Sequence, residues 1–336
     1  MSKLFNIAVV GATGLVGETL IEILAERRFP VATLHPLASE RSEGATILFG
    51  NKPILVQNLA QFDFSQVDLA FFMASNDVAL EYAPRAAEAG CIVIDNSSAF
   101  RYDPDVPLIV PEVNRDALEG YRQRNIIANP NCSTIQMVVA LKPIYDAVGI
   151  ARINVTTYQS VSGAGRAGLE ELAQQTQQVL NAQSLGQNVF PRQIAFNVIP
   201  QIDSFQDNGY TREEMKMVWE TQKIFADDSV QVNPTAVRVP VFFGHSEAIH
   251  IETRTKISAL EVYELLRHAP GIIAQDPVEN AQYPTPVMKK ALKDAVYVGR
   301  IREDISHPHG INLWIVADNV RKGAALNAVE IAELLL

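Results

Sequence analysis

The run Phe5-Asn6-Ile7-Ala8-Val9-Val10-Gly11-Ala12-Thr13-Gly14-Leu15-Val16-Gly17 decides the fold. Its first six residues are a short apolar stretch with strand character. Glycines follow at G-x-x-G-x-x-G spacing, and residues 18–27 place Leu20, Ile21, Ile23 and Leu24 at helical intervals. A glycine motif alone is weak evidence; a strand before it and a helix after it make it a nucleotide-binding turn. Glycine lets the backbone turn sharply and approach a pyrophosphate, which then faces the amide N–H groups at the helix start. Gly11, Thr13, Gly14, Leu15, Val16 and Gly17 are therefore candidate cofactor-binding residues.

Outward from that run, strand-like and helix-like segments alternate. Residues 67–73 and 91–94 read as strands, with a helix near 79–89 between them. Apolar strands separated by helices predict a parallel sheet covered on both faces, a doubly wound Rossmann-type domain. After about residue 130 the pattern changes. Longer strand-like runs at 153–161, 236–243, 248–255, 295–301 and 311–317 alternate apolar and polar residues, as in Ile153-Asn154-Val155-Thr156. Helix-like stretches at 168–180 and 211–224 interrupt them, and 181–188 is a polar loop. This predicts an α+β substrate domain over 131–317 with a mixed or antiparallel sheet, one face exposed. The first domain spans 1–130 and is completed by a C-terminal helix within 318–336.

Composition narrows the function classes. With 336 residues, 48% hydrophobic and 20% charged, the chain suits about two globular domains. Its net charge of −10 argues against nucleic acid or an anionic membrane as partner, leaving room for a local basic pocket. Cys91 and Cys132 are too few for a disulfide framework or a four-thiolate zinc site, and no metal site is expected. The N-terminus lacks the apolar core of a secretion signal, and no run is long enough to span a membrane. The cytoplasm is the default compartment.

The end of the second strand-like run, 31–37, carries Ser39-Glu40-Arg41-Ser42. An acidic residue here would hold a ribose hydroxyl; Arg41 with Ser39 and Ser42 suits a 2′-phosphate, which favours NADP, and Glu40 tempers that preference. Cys132 follows Pro130-Asn131 and precedes the helix-like 133–145, so the helix N-terminus favours its thiolate. Asn131 offers a donor to an oxyanion. Taken by itself a cysteine is more often packing, and Cys91, in Gly90-Cys91-Ile92-Val93-Ile94, illustrates that. A reacting thiol also wants an acid/base. Of His35, His245, His250, His268, His307 and His309, His245 follows Gly244 at a predicted strand edge, where exposure suits catalysis. The residues alone give it little advantage.

Seven stretches, in order along the chain, resemble the aspartate-β-semialdehyde dehydrogenase family. They are Gly11–Gly17; Ser97-Ser98-Ala99-Phe100-Arg101; Asn129–Thr134; Gln159-Ser160-Val161-Ser162-Gly163-Ala164-Gly165; Glu213-Glu214-Met215-Lys216; Arg238-Val239-Pro240-Val241 with His245; and Ala317-Asp318-Asn319-Val320-Arg321-Lys322-Gly323. The resemblance implies reversible reduction of L-aspartyl-4-phosphate by NADPH to aspartate-4-semialdehyde, through a Cys132 thioester. The setting would be biosynthesis of lysine, threonine, methionine and, in bacteria, diaminopimelate. By the same resemblance His245 is the acid/base and Gln159 orients the acyl group. Arg101, Asn131 and Lys216 line the phosphate site, Arg238 holds the α-carboxylate and Glu213 the α-ammonium. Ser162, Gly163 and Asn319 contact the cofactor near the nicotinamide. The substrate domain carries a dimer contact on its sheet, which implies a homodimer.

Bland readings stand beside these. Glu213 and Lys216, three apart on a predicted helix, are also a solvated ion pair, and Arg238 a cross-strand one. Jointly the set matches two anions and one cation on a small zwitterionic acyl phosphate. The sister family of N-acetyl-γ-glutamyl-phosphate reductases acts on an acylated, neutral amine. Glu213 argues against it, as does Asn131, since that family has Gly-Cys there. A dehydrogenase-like binding protein without turnover would have lost Cys132 or His245; both are present.

Overall fold

The computed structural model describes residues 4–186, 189–275, 282–287 and 294–336. Gln187 and Asn188, the end of the polar loop read from sequence, lie outside the described residues, as do Met1–Lys3. Contacts divide the chain into two units, 1–131 with 324–336, and 132–323.

The first unit contains β1 (Phe5–Val10), β2 (Val31–Ala38), β3 (Thr46–Phe49), β4 (Lys52–Leu55), β5 (Gln57–Asn58), β6 (Leu69–Phe72), β7 (Ile92–Asp95) and β8 (Ile126–Ala128). Six of these form one parallel sheet in the order β5-β2-β1-β6-β7-β8, and β3 and β4 make a separate hairpin. β1 is central, with its sequence neighbours leaving in opposite directions. That reversal is the topological switch point of a doubly wound fold, and ligands bind at the carboxyl ends of the strands beside it. β1 and β6 read as continuous apolar runs because both faces are covered. The helices are α1 (Leu15–Glu26), α2 (Asn76–Glu88) and the short α3 (Pro111–Asn114).

The second unit begins with α4 (Cys132–Val148), whose residues Ser133–Leu141 are all buried. Ile135, Met137, Val138, Val139 and Leu141 are apolar around the whole helix, as a core helix requires. α4 packs on a sheet made from β9 (Ile150–Gln159), β10 (Gln231–Arg238), β11 (His245–Thr253), β12 (Ile272–Ala274), β13 (Val296–Glu303) and β14 (Gly310–Ala317), in the order β10-β9-β11-β14-β13-β12. The sheet is mixed: β10 pairs with β9, and β12 with β13, in parallel, and the other pairs are antiparallel. In β9, Ile153, Val155, Thr157 and Gln159 point into the core while Asn154, Thr156 and Tyr158 alternate outward. Three further helices are α5 (Gly165–Leu180), α6 (Arg212–Phe225) and α7 (Ala259–Arg267).

One strand departs from its sequence reading over 236–243. β10 runs earlier, through Pro234, and stops at Arg238. Pro234 is tolerated because β10 is an edge strand, where one side of the backbone needs no donor. Pro240 and Gly244 then keep the segment 239–244 out of the ladder. The chain ends with a π-helical turn, Arg321–Ala325, and α8 (Leu326–Glu333), whose Leu326, Val329 and Ile331 join the apolar core of the first unit.

Candidate active site

In the first unit the glycine turn follows β1. Gly11 has φ +78°, and a Cβ there would meet the Met73 carbonyl oxygen, at the end of β6, at 2.3 Å. A Cβ on Gly17 would lie 2.2 Å from the Gly11 carbonyl oxygen, so only glycine lets α1 start this close to the turn. Gly14 precedes the first helical residue, Leu15, which brings the amides of the turn to the helix N-terminus. This is a backbone cradle shaped for a phosphate, and it fits a dinucleotide. Ser39 and Arg41 are exposed and Ser42 half-buried in a 3-10 turn just past β2.

Two loops at the same end of that sheet hold the next candidates. Arg101, in the loop after β7, is buried and donates from Nη2 to the Asn96 carbonyl at 2.8 Å. Asn131 is buried after β8. Asn129 joins the loops: its Nδ2 donates to Asn96 Oδ1 at 2.7 Å, and its Oδ1 accepts from Asn327 Nδ2 at 2.7 Å. Asp95 lies beneath, its carboxyl pushed up by burial and pulled back by Ser97 and Arg101.

In the second unit Cys132 is the first residue of α4 and half-buried, at a helix N-terminus, where the dipole favours an anion. Cys91 is buried and its thiol is pushed up to about 12 by burial, the inert counterpart. Gly323 lies against Cys132; a Cβ there would stand 2.8 Å from the Cys132 Cβ. Gln159 ends β9 and donates from Nε2 to Ser133 Oγ at 2.7 Å and to Glu213 Oε1 at 3.2 Å. Glu213 and Lys216 project from the first turns of α6, which Thr211 and Glu214 fix with a capping box. Lys216 Nζ is shared between Glu213 Oε2 and Asp203 Oδ2, both at 3.0 Å. Glu213 is buried and Lys216 half-buried, so the two are not a solvated surface pair. Burial opposes the charge on Lys216, but its two carboxylate partners prevail and keep it protonated.

Arg238 ends β10 and donates from Nη1 to the Ser160 carbonyl at 2.8 Å. Burial lowers its affinity for a proton, while the charges of Glu213 and Cys132 oppose that. Gly163 opens space beside it: a Cβ would come within 2.7 Å of Arg238 Nη1 and 3.5 Å of His245 Nε2. His245 starts β11 and is fully buried, which corrects the exposed edge expected from sequence. Gly244 precedes the strand, and the ring is enclosed beside Ser160 and Gly163. Its pKa is pushed down to about 3, by burial first and by Arg238 second, with Glu213 opposing. The His245 imidazole is thus uncharged at neutral pH. The Ser160 backbone N–H donates to Nδ1 at 3.1 Å, and Ser160 Oγ lies 3.1 Å from the same nitrogen. Asn319 Oδ1 accepts from Ser160 Oγ at 3.0 Å, Ser162 Oγ at 3.1 Å and the Gly244 N–H at 3.0 Å. Asn319 therefore braces the segments that carry His245.

The second unit thus brings together Cys132, Gln159, Ser162, Gly163, Glu213, Lys216, Arg238, His245 and Asn319. The first unit separately holds the glycine turn, the Arg41 turn, and Arg101 with Asn131. Sequence reasoning gave no role to Asn96, Asn129, Ser133, Ser160, Asp203 or Gly323. Asn129, Ser133, Ser160 and Gly323 lay within quoted stretches; Asp203 had no local signal at all.

Comparison with known proteins adds a family context. Residues 6–121 match the semialdehyde dehydrogenase NAD binding domain, and residues 141–322 the semialdehyde dehydrogenase dimerisation domain. The chain is 63% identical over 336 residues to aspartate-semialdehyde dehydrogenase 2 of Vibrio cholerae, covering 100% of this chain and 99% of that one. A crystal structure of aspartate semialdehyde dehydrogenase II from Vibrio cholerae complexed with ASA superposes with TM-score 0.97 at 63% identity, over 99% of this chain and 98% of that chain. The enzyme of Candida albicans, in a crystal structure with NADP, superposes with TM-score 0.79 at 26% identity over 99% of this chain and 98% of that chain.

Proposed function

The chain belongs to the aspartate-semialdehyde dehydrogenase family, and from that premise we propose that it catalyses the reversible, NADP-dependent reductive dephosphorylation of L-aspartyl-4-phosphate to L-aspartate-4-semialdehyde. One observation carries the substrate reading. Arg238 and Glu213, a carboxylate binder and an ammonium binder, sit in one buried cluster whose charges act on each other and on the Cys132 thiol. That is the complement of an α-amino acid whose side-chain acyl carbon reacts at sulfur.

In the reading that follows, His245 accepts the Cys132 proton, and the thiolate attacks the acyl carbon of the aspartyl phosphate. The bond from carbon to the phosphate oxygen breaks and phosphate leaves, giving a thioester. Arg101 and Asn131 of the first unit, with Lys216 of the second, are assigned to the phosphate; a guanidinium suits two phosphate oxygens at once. NADPH, when bound in the Gly11–Gly17 cradle with its 2′-phosphate at Ser39, Arg41 and Ser42, supplies the hydride. Gln159, Ser162, Gly163 and Asn319 orient the acyl group and the nicotinamide. His245 then protonates the departing sulfur as the aldehyde is released. The NADP-bound structure of the Candida albicans relative supports the cofactor choice. The matched dimerisation domain supports a homodimer through the second sheet's outer face, where Tyr158 and Trp314 pack with ring centroids 5.6 Å apart. The products belong to amino-acid biosynthesis leading to lysine, threonine, methionine and diaminopimelate.

The test is the reverse assay with NADP and aspartate semialdehyde, with and without phosphate, and N-acetylglutamate semialdehyde in parallel. Phosphate-dependent NADPH formation with the free amine alone is expected. Preference for the acylated substrate would overturn the reading of Glu213.

A further inference from the structure

Behind the candidate catalytic side chains lies a second polar layer that the reaction above does not use. Cys132 opens α4, Gln159 ends β9 and His245 opens β11. One step deeper on each element stands another polar side chain. Gln136 is four residues along α4, on the face of Cys132; Thr157 is two residues back along β9; Glu247 is two residues on along β11. Thr157 and Glu247 are partners in the β9–β11 register, and α4 packs on both strands. All three side chains are fully buried. The Gln136 amide, the Thr157 hydroxyl and both Glu247 carboxyl oxygens stand outside hydrogen-bond geometry with the described protein groups. Gln136 is nonetheless near enough to act on the Glu247 carboxyl. Buried polar groups cost stability that apolar residues of the same shape would not, so three of them directly beneath three reacting groups point to a role.

We infer that Gln136, Thr157 and Glu247 form a positioning layer for Cys132, Gln159 and His245, with Glu247 kept as an uncharged carboxylic acid. The inference rests on the catalytic reading of Cys132 and His245 given above. The cations that α4 and β9 carry, Lys142 and Arg152, lie well along those elements from Gln136 and Thr157. α4 brings Cys132 and Gln136, β9 brings Thr157, β14 places Ile315 opposite, and β11 carries His245, itself held neutral by burial and by Arg238. Burial therefore pushes the Glu247 carboxyl well above the usual carboxylate range, and Gln136 pulls it back only in part. The acid proton suits the Gln136 carbonyl oxygen, and the acid carbonyl suits the Gln136 amide N–H. A carboxylate at this place would draw a proton onto His245 and convert the base to imidazolium. The uncharged acid fills the same space, fixes the start of β11 and leaves the imidazole free to accept the thiol proton.

Linkage gives a readout independent of turnover. The folded protein keeps a proton on Glu247 that the unfolded chain releases in the ordinary carboxylate range. Stability therefore falls as pH rises through and above that range, until the folded group ionises. Glu247→Gln removes this penalty and keeps the shape and polarity. Its Tm relative to the unsubstituted protein is expected to increase as pH rises above the ordinary carboxylate range. Its kcat stays within about threefold and its pH profile is unchanged. Glu247→Leu, which keeps bulk but not polarity, is expected to lower kcat about tenfold or more with the KM for aspartate semialdehyde within about twofold. If Glu247→Leu does not fold, Gln136→Leu is read in its place with the same expectation. A Tm difference for Glu247→Gln that does not grow with pH, or a loss of activity equal to that of the leucine variant, overturns the uncharged acid. Full activity in the folded leucine variant overturns the positioning role. The pH dependence of Tm holds or fails whether or not Cys132 carries the acyl group, so the two readings are separable.

Discussion

The glycine turn after β1 and the cluster around Cys132 are built from different material. The turn offers backbone: its amides and carbonyls are placed by Gly11 and Gly17, where a Cβ would come within 2.3 Å of a carbonyl oxygen. The cluster offers side chains drawn from β9, β10, β11, α4 and α6, most of them buried, with Gln159, Glu213, Lys216 and Arg238 held by hydrogen bonds. A backbone site tolerates changes of side chain except where a side chain must be absent. A side-chain site fails at whichever group does the chemistry, while its surroundings keep their shape. The two regions should therefore fail in different ways.

The largest effect is expected at Cys132. Cys132→Ala should reduce kcat by about 10⁴-fold or more and leave NADPH affinity intact, as judged by fluorescence titration. Substantial residual turnover would remove the thioester from the account. His245→Gln should lower kcat by about 10²- to 10⁴-fold, again with cofactor binding unchanged. Gly17→Val tests the other region. Its side chain collides with the Gly11 carbonyl, so NADPH affinity should fall about tenfold or more while iodoacetamide still alkylates Cys132. Loss of thiol reactivity along with NADPH binding would show that the two regions do not fail separately. The smallest effect is expected at Arg41: Arg41→Ala should raise the KM for NADPH several-fold more than that for NADH, and equal changes would make it a loop charge only.

Electrostatics of the cluster supply a pH test. His245 is held down to about 3 by burial and by Arg238, so the acid limb of kcat/KM should lie well below the ordinary histidine range. Arg238→Met removes a charge that disfavours the imidazolium. The limb should then move upward in pH, whatever the loss of substrate affinity. A limb that stays in place would mean burial alone sets the histidine.

The same contrast explains what was legible in the sequence. The doubly wound first sheet followed from a local pattern, since a backbone cradle demands glycine at fixed spacing between a strand and a helix. Arg41 drew a cofactor reading because the end of β2 has a fixed job in such a sheet. The cluster was not legible residue by residue. Gln159, Glu213, Arg238 and His245 are far apart in the chain, and Glu213 and Arg238 each read as well as half of an ordinary ion pair. Only their joint complementarity to a zwitterionic acyl phosphate, and the family resemblance, singled them out. His245 was read as an exposed position at the end of a strand over 236–243, whereas it starts β11 and is fully buried beside Ser160 and Gly163, contacts that no local spacing encodes. Asp203 stayed invisible and Asn129, though inside a quoted stretch, was given no role, since their work is done through contacts that no local spacing encodes. β10 was misplaced because Pro234 reads as a strand breaker until its edge position is known.

Cys132 as the acyl carrier is the central claim, and peptide mapping of a trapped intermediate tests it most directly. The protein would be incubated with aspartate semialdehyde and NADP in the absence of phosphate, quenched in acid and digested. The account predicts an aspartyl adduct on the peptide containing Cys132, absent without NADP and released when phosphate is added before the quench. An unmodified Cys132 during turnover, or the adduct on another residue, would contradict it.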